Sequence, residues 1–330
     1  MKVRLISCIT FLTGTILTSC ASVQTELPEI LPQTLSKERL TQETLAFENI
    51  ETLTQRLMRV SAPILRENST LCPKVKMDIG VSAHSLKSYS KHTRSAAARE
   101  LGAREDISIY NVRPNSTADK AGLKRGDNLI DANGKVVSPN SKKFQRLLKS
   151  SDSHNPQKQI RVRREGRYFM VFVTPEEVCD YAVTLSPTTT VNAYATGKKI
   201  IMTAGMMNFV KDDNELALII GHELAHNTMG HIRKGITNFI LSLGGTRYTR
   251  PFESEADYVG MYYMARAGYN LSNVEDFWRR LAVSSPKSVV RAKTHPTTPS
   301  RYLHIAASRE EIQAKKAAGT ALLPNFKVKN

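Results

Sequence analysis

Cysteine is scarce in this 330-residue chain, at four residues, and there is one tryptophan among 7% aromatics. Four cysteines in a chain this long exclude a disulfide-dense mini-scaffold. No low-complexity tract and no fixed-period repeat occurs, which excludes solenoids and arrays. No apolar run reaches the roughly 20 residues that a transmembrane helix needs. Acidic residues are in deficit, 30 against 47 basic ones, for a formal net charge of +17 and a sequence pI near 9.8. That balance raises nucleic-acid binding. The basic residues are dispersed, however, with only a small cluster at Arg161, Arg163, Arg164 and Arg167. Solvated faces account for them, and no nucleic-acid partner is expected; attraction to an anionic membrane surface is the functional alternative. What is present, 41% hydrophobic and 23% charged residues, is globular composition with room for two modest cores.

The first 19 residues read as an address. Lys2 and Arg4 precede an apolar stretch from Leu5 to about Leu17, too short and too rich in Ser and Thr to span a bilayer. Leu17-Thr18-Ser19-Cys20 resembles a bacterial lipobox. The resemblance implies cleavage before Cys20, acylation of its thiol (palmitate among the chains) and stable membrane anchoring. Ala21 in second place would favour the outer membrane, facing the periplasm. With Cys8 discarded and Cys20 lipidated, Cys72 and Cys179 remain, and an exported chain is expected to oxidise that pair. Closing so long a loop would contribute on the order of 4–5 kcal/mol.

Residues 20–35, with Pro28 and Pro32, read as a tether. From Ser36, an expected N-cap, Leu40, Phe47, Ile50, Leu53, Leu57, Val60 and Ile64 recur at helical spacing, giving a helix within 36–75 with Pro63 near its end and Cys72-Pro73 beyond it as a boundary. Residues 76–178 read as a separate module. It opens on Ile79-Gly80-Val81 and continues with an alternating strand at Ile107–Val112. Then come Ala121-Gly122-Leu123-Lys124-Arg125-Gly126-Asp127-Asn128-Leu129-Ile130, a turn at Asn133-Gly134, and a hairpin of 161–163 and 168–173 about Glu165-Gly166. This succession resembles a PDZ domain of the bacterial HtrA type. The resemblance implies that Ile79, Gly80 and Val81 offer backbone N–H groups to a peptide C-terminal carboxylate, with the peptide added beside the next strand.

In the remaining segment, 179–330, Tyr181–Thr203 alternates like paired strands with a turn near Gly197. Asp212 and Glu215, spaced as a capping box, open a helix that contains His222-Glu223-Leu224-Ala225-His226. Positions i and i+4 share a helix face, so both imidazoles can reach one metal ion. Glu223 stands one step round, placed to take a proton from a water that zinc would acidify. A third ligand is needed. His231 follows His226 by five residues where metzincins require six, so that reading fails on spacing. Glu253-Ser254-Glu255-Ala256-Asp257, just after Pro251, is the better source. Glu253 and Asp257 share a face, one to ligate and one to orient a ligand histidine. Glu255 points about 200° away from Glu253 and is expected in solvent.

His-Glu-Leu-Ala-His, Glu-Ser-Glu-Ala-Asp-Tyr-x-Gly and His295-Pro296-Thr297-Thr298-Pro299-Ser300-Arg301 together resemble the gluzincin family of HtpX, BepA, LoiP and the CAAX prenyl proteases. The resemblance implies an α+β fold: a mainly helical zincin domain with a small sheet, completed by the N-terminal helix and carrying the PDZ module as a β-barrel-like insertion. It implies one zinc per chain on His222, His226 and Glu253, with Glu223 as general base and Asp257 supporting a ligand. His295 and Arg301 would lie near the metal, either stabilising the tetrahedral intermediate or, for His295, plugging the fourth position. Asn192, Ala193, Tyr194 and Ala195 would form the edge strand that pairs with substrate backbone. The expected function is endoproteolysis of unfolded or misassembled envelope proteins. The rival is a PDZ-based periplasmic chaperone or scaffold with a latent metal site, against which the intact Glu223 argues.

Overall fold

The computed structural model describes residues 27–131, 133–149, 156–234, 250–284 and 299–325. Cys20, expected to be lipidated, and His295, expected near the metal, lie outside them. The chain divides into two compact units, Met1–Thr41 and Gln42–Asn330, and the packing below lies within the second. The fold is α+β. No described helix is long and apolar enough to cross a membrane.

Helix α1 spans Pro32–Glu67. It begins earlier than the apolar stripe predicts, because Pro32 suits a first helical position, where its missing N–H costs nothing. Ser36 is therefore no cap; its hydroxyl donates to the Pro32 carbonyl inside the helix. Pro63 lies inside α1 near its end, as the apolar stripe through Ile64 implies. The turn beyond it is held by tertiary contacts: Ile64 is fully buried, and the Asn68 amide donates to the carbonyls of Ile64 and Tyr263.

Strands β1 (Val75–Asp78) and β7 (Glu176–Cys179) pair antiparallel, with Val75 opposite Cys179. Between them lie β2 (Val81–His84), α2 (Arg94–Leu101), β3 (Ser108–Val112), α3 (Thr117–Lys120), β4 (Asn128–Ile130), α4 (Lys142–Lys149), β5 (Lys158–Arg164) and β6 (Arg167–Val173). β2 pairs with β3, and β4-β5-β6 form a three-stranded antiparallel sheet. Glu165 and Gly166, both at positive φ, make the tight β5–β6 turn. Ile79, Ile109, Leu129, Phe144, Ile160 and Val162 fill a core of their own. Cys72 and Cys179 are bonded, with Cα atoms 5.5 Å apart, so the module's two ends leave together.

The second core takes in Leu53, Leu57, Val60 and Ile64 of α1 together with the elements after Cys179. These are β8 (Ala182–Ser186), β9 (Ala193–Ala195), β10 (Lys199–Thr203), α5 (Ala204–Phe209), α6 (Asp213–Thr228), α7 (Arg250–Arg266), α8 (Asp276–Ser284) and α9 (Pro299–Ala317). The sheet order is β8-β10-β9, with β8 parallel and β9 antiparallel to β10. The helix α1 also touches the inserted module. Gln55 meets Asn111, Glu51 pairs with Arg125, and Thr44 donates to Glu100.

Candidate metal centre

The side chains that matter stand on α6, α7 and α9. Asp212 caps α6 by accepting from the N–H groups of Asn214 and Glu215. Glu215 reaches back to the Lys211 N–H, one residue beyond a strict capping box, and takes a two-pronged bond from Arg280 of α8. The start of α6 is thus fixed from three directions. Its middle crosses α7 at a pair of glycines. A Cβ on Gly260 would come within 2.7 Å of the His222 nitrogen, and one on Gly221 within 2.6 Å of the Gly260 carbonyl. Only glycine at both positions lets the two backbones come this close.

That crossing brings Glu253 of α7 to the two histidines of α6. His222 Nε2 lies 3.1 Å from His226 Nε2, His222 Nε2 lies 3.6 Å from Glu253 Oε2, and His226 Nε2 lies 3.4 Å from Glu253 Oε1. All three side chains are buried, and their ligand atoms lie within 4.8 Å of one another. Tetrahedral zinc with bonds of about 2.0–2.1 Å holds its ligand atoms about 3.3–3.5 Å apart. The observed separations bracket that span, and two imidazoles with one carboxylate are a zinc donor set. The residues fit the ion.

Each histidine is held from behind. Asp257 Oδ1 lies 2.9 Å from His222 Nδ1. The Arg301 guanidinium donates from Nε and Nη2 to the two Asp257 oxygens, each at 2.6 Å, and Nη1 stands 3.5 Å from Glu253 Oε2. Trp278 lies under Arg301, 3.8 Å from ring centroid to guanidinium carbon, and meets His222 edge-on. Burial works against the Asp257 charge, but Arg301 and His222 outweigh it and hold its carboxyl below the ordinary range. Burial likewise works against the Arg301 charge, and Asp257, Glu253 and Glu223 outweigh it. Arg301 therefore sits as a clamp behind the ligands, with Nε and Nη2 bonded to Asp257 and Nη1 turned toward Glu253. Glu223 is buried beside it, one step round α6 from His222.

Glu255 is not simply solvated, as its helical angle predicts. Its Oε2 bonds His231 Nε2 at 2.7 Å, and His231 Nδ1 meets His226 Nδ1 at 3.1 Å. His231 reaches this place because the chain turns at Gly230 (φ 68°) into a new helical segment. Burial holds the His231 imidazole below its ordinary pKa, although Glu255 pulls the other way. His231, Glu255 and Trp278 have no role in the sequence reading. The only available signals were a histidine at an awkward spacing and a lone tryptophan.

Asn192 just precedes β9, which holds Ala193, Tyr194 and Ala195 and lies at the edge of its sheet, with β10 as its strand neighbour. Ala193 faces the core and Tyr194 is exposed. In the other module Ile79 is buried and Gly80 has φ 91°, where a Cβ would strike Ser116 at 2.2 Å. The Gly80 N–H, one of the amides expected to receive a carboxylate, donates to Asp78 Oδ1 at 3.2 Å, and Asp78 in turn pairs with Arg113.

Two family models match the chain. Peptidase family M48 matches residues 156–244 and 235–309, and the PDZ domain matches residues 77–173. The chain is 25% identical over 147 residues to the mitochondrial metalloendopeptidase OMA1 of Schizosaccharomyces pombe, covering 36% of this chain and 44% of that protein. It is 33% identical over 94 residues to OMA1 of Arabidopsis thaliana, covering 22% and 19%. It is 26% identical over 163 residues to a putative beta-barrel assembly-enhancing protease of Vibrio cholerae, covering 37% and 33%. The chain thus spans less than half the length of each of these relatives. Among solved structures, the HtrA3 PDZ domain bound to a phage-derived ligand aligns with 32% of this chain and 90% of its own, at 22% identity and a TM-score of 0.23. The histidine pentad and the carboxylate helix both fall in the segment 156–309 that is similar to peptidase family M48, and residues 77–173 before them are similar to a PDZ domain.

Proposed function

We propose that this chain is a zinc-dependent metalloendopeptidase of the bacterial cell envelope. The observation that carries the reading is the buried convergence of His222, His226 and Glu253 at ligand-to-ligand separations of 3.1–3.6 Å. Those three would hold one zinc. Bound there, the ion would polarise a peptide carbonyl and acidify a water, which is the chemistry the site otherwise lacks. Glu223 would accept that water's proton and return it to the leaving amine. Asp257 and Arg301 would keep His222 and Glu253 in place. Backbone at the free edge of β9 would pair with an extended substrate, which favours unfolded polypeptides over folded ones.

Misfolded or misassembled envelope proteins are the proposed substrates. The lipobox-like Leu17–Cys20 and the beta-barrel assembly-enhancing relative support that class. Acylation of Cys20 would hold the enzyme on the outer membrane, facing the periplasm. The PDZ domain, residues 76–178, would select or present peptide C-termini. Metal analysis of the purified chain, followed by casein cleavage with and without a chelator, tests the reading. One zinc per chain and chelator-sensitive cleavage are expected; a metal-free chain that still cleaves casein would overturn it.

A further inference from the structure

His231 is buried, and its ring stacks on Phe252 at 4.7 Å between centroids and 14° between planes. Its two nitrogens meet different partners: His226 Nδ1 at 3.1 Å and Glu255 Oε2 at 2.7 Å. Two imidazole nitrogens at hydrogen-bond distance require one N–H and one lone pair. Glu255, as a carboxylate, can only accept, so His231 presents its N–H at Nε2. A neutral His231 then has only a lone pair at Nδ1, and His226 must be the donor there. That leaves the His226 lone pair on Nε2, facing His222 and Glu253, where a metal ligand needs it. With His231 neutral and His226 a ligand through Nε2, the chain of bonds has one assignment, running from carboxylate to metal side.

We propose that His231 and Glu255 are positioning residues of the metal centre, a relay that locks the second histidine ligand in its Nδ1–H tautomer and fixes its ring. The inference rests on the zinc reading above. It explains an asymmetry between the two ligands. His222 has a carboxylate directly behind it in Asp257, whereas the carboxylate serving His226 stands one imidazole further back. Phe252 gives the intervening ring a flat support, so the relay is held as a unit.

The test uses the full chain. Long-range 15N–1H spectra of the zinc-loaded protein, labelled at histidine, read the tautomers directly. Neutral His231 protonated at Nε2 and His226 protonated at Nδ1 are expected; a proton on His231 Nδ1 would overturn the relay. Competition with a chromogenic chelator then reads zinc affinity. His231→Phe keeps an aromatic ring against Phe252 but removes the acceptor, and should weaken zinc binding by about 10–100-fold, the usual effect of losing a partner behind a ligand. His231→Asn restores a carbonyl acceptor for His226 and should recover most of that loss, which a merely structural role would not do. Unchanged affinity in His231→Phe, or no recovery in His231→Asn, would overturn the relay alone. A wild-type chain that binds no zinc would overturn the reading beneath it as well. Should the variants fail to fold, the wild-type spectra still decide.

Discussion

At Arg301, two hydrogen bonds to Asp257 and the face of Trp278 are what make a buried charge tolerable. Removing one partner of such a pair leaves the other buried and uncompensated. Arg301→Met should therefore cost about 3–5 kcal/mol of stability in the metal-free chain, read by urea unfolding in the presence of a chelator. Asp257→Asn combined with Arg301→Met should restore part of it, since the neutral amide has no charge to compensate. A loss below about 1 kcal/mol in the single variant would mean that Asp257 is hydrated and the clamp is not a buried pair. Sequence spacing made Asp257 legible as a partner of the site, because i and i+4 fix a shared face whatever the surroundings. It could not reveal Glu255, whose helical angle says only which way it leaves α7. The segment after Gly230 returns on that side of α7, and a helical wheel contains no information about returning segments.

Among the described elements, α6 and α7 form the most extensive helix pairing, and the Gly221–Gly260 crossing sets its spacing. A methyl at Gly260 would meet His222 N at 2.7 Å, Gly221 C at 2.9 Å and His222 Cα at 3.0 Å. All three are backbone atoms of the helix that carries the histidines, so the clash can be relieved only by parting the helices. Gly260→Ala should cost about 1–3 kcal/mol of stability. It should also lower zinc affinity, because Glu253 rides on the helix that moves. Unfolding and chelator competition measure the two effects; an Ala variant with unchanged affinity would show that the spacing does not set the site. Periodicity made α1 legible, the Asp212/Glu215 spacing and Pro251 marked the starts of α6 and α7, and turn chemistry marked the β5–β6 hairpin at Glu165-Gly166. The exact end of α1 at Glu67 was not legible, since the turn after it is held by Asn68 bridging to the Tyr263 carbonyl nearly two hundred residues on. The parallel pairing of β8 with β10 was hidden for a similar reason: alternation marks a strand but not its neighbour.

For the whole molecule, two separate cores are present, and a disulfide joins the two ends of the segment that holds the smaller one. The composition left room for two cores, and the cysteine count left one pair. Neither told how α1 lies against the module, which rests on single contacts such as Gln55 with Asn111 and Glu51 with Arg125. The central claim is that zinc held by His222, His226 and Glu253 works with Glu223 as the base. Glu223 is the one acidic residue of the pentad and lies outside the three-ligand cluster. The most direct measurement is therefore zinc content and casein cleavage of Glu223→Gln beside the wild type. One zinc per chain in both proteins, with cleavage reduced by about 100–10,000-fold in the variant, is the expected result. Cleavage at the wild-type rate by a zinc-loaded Glu223→Gln protein would contradict the account.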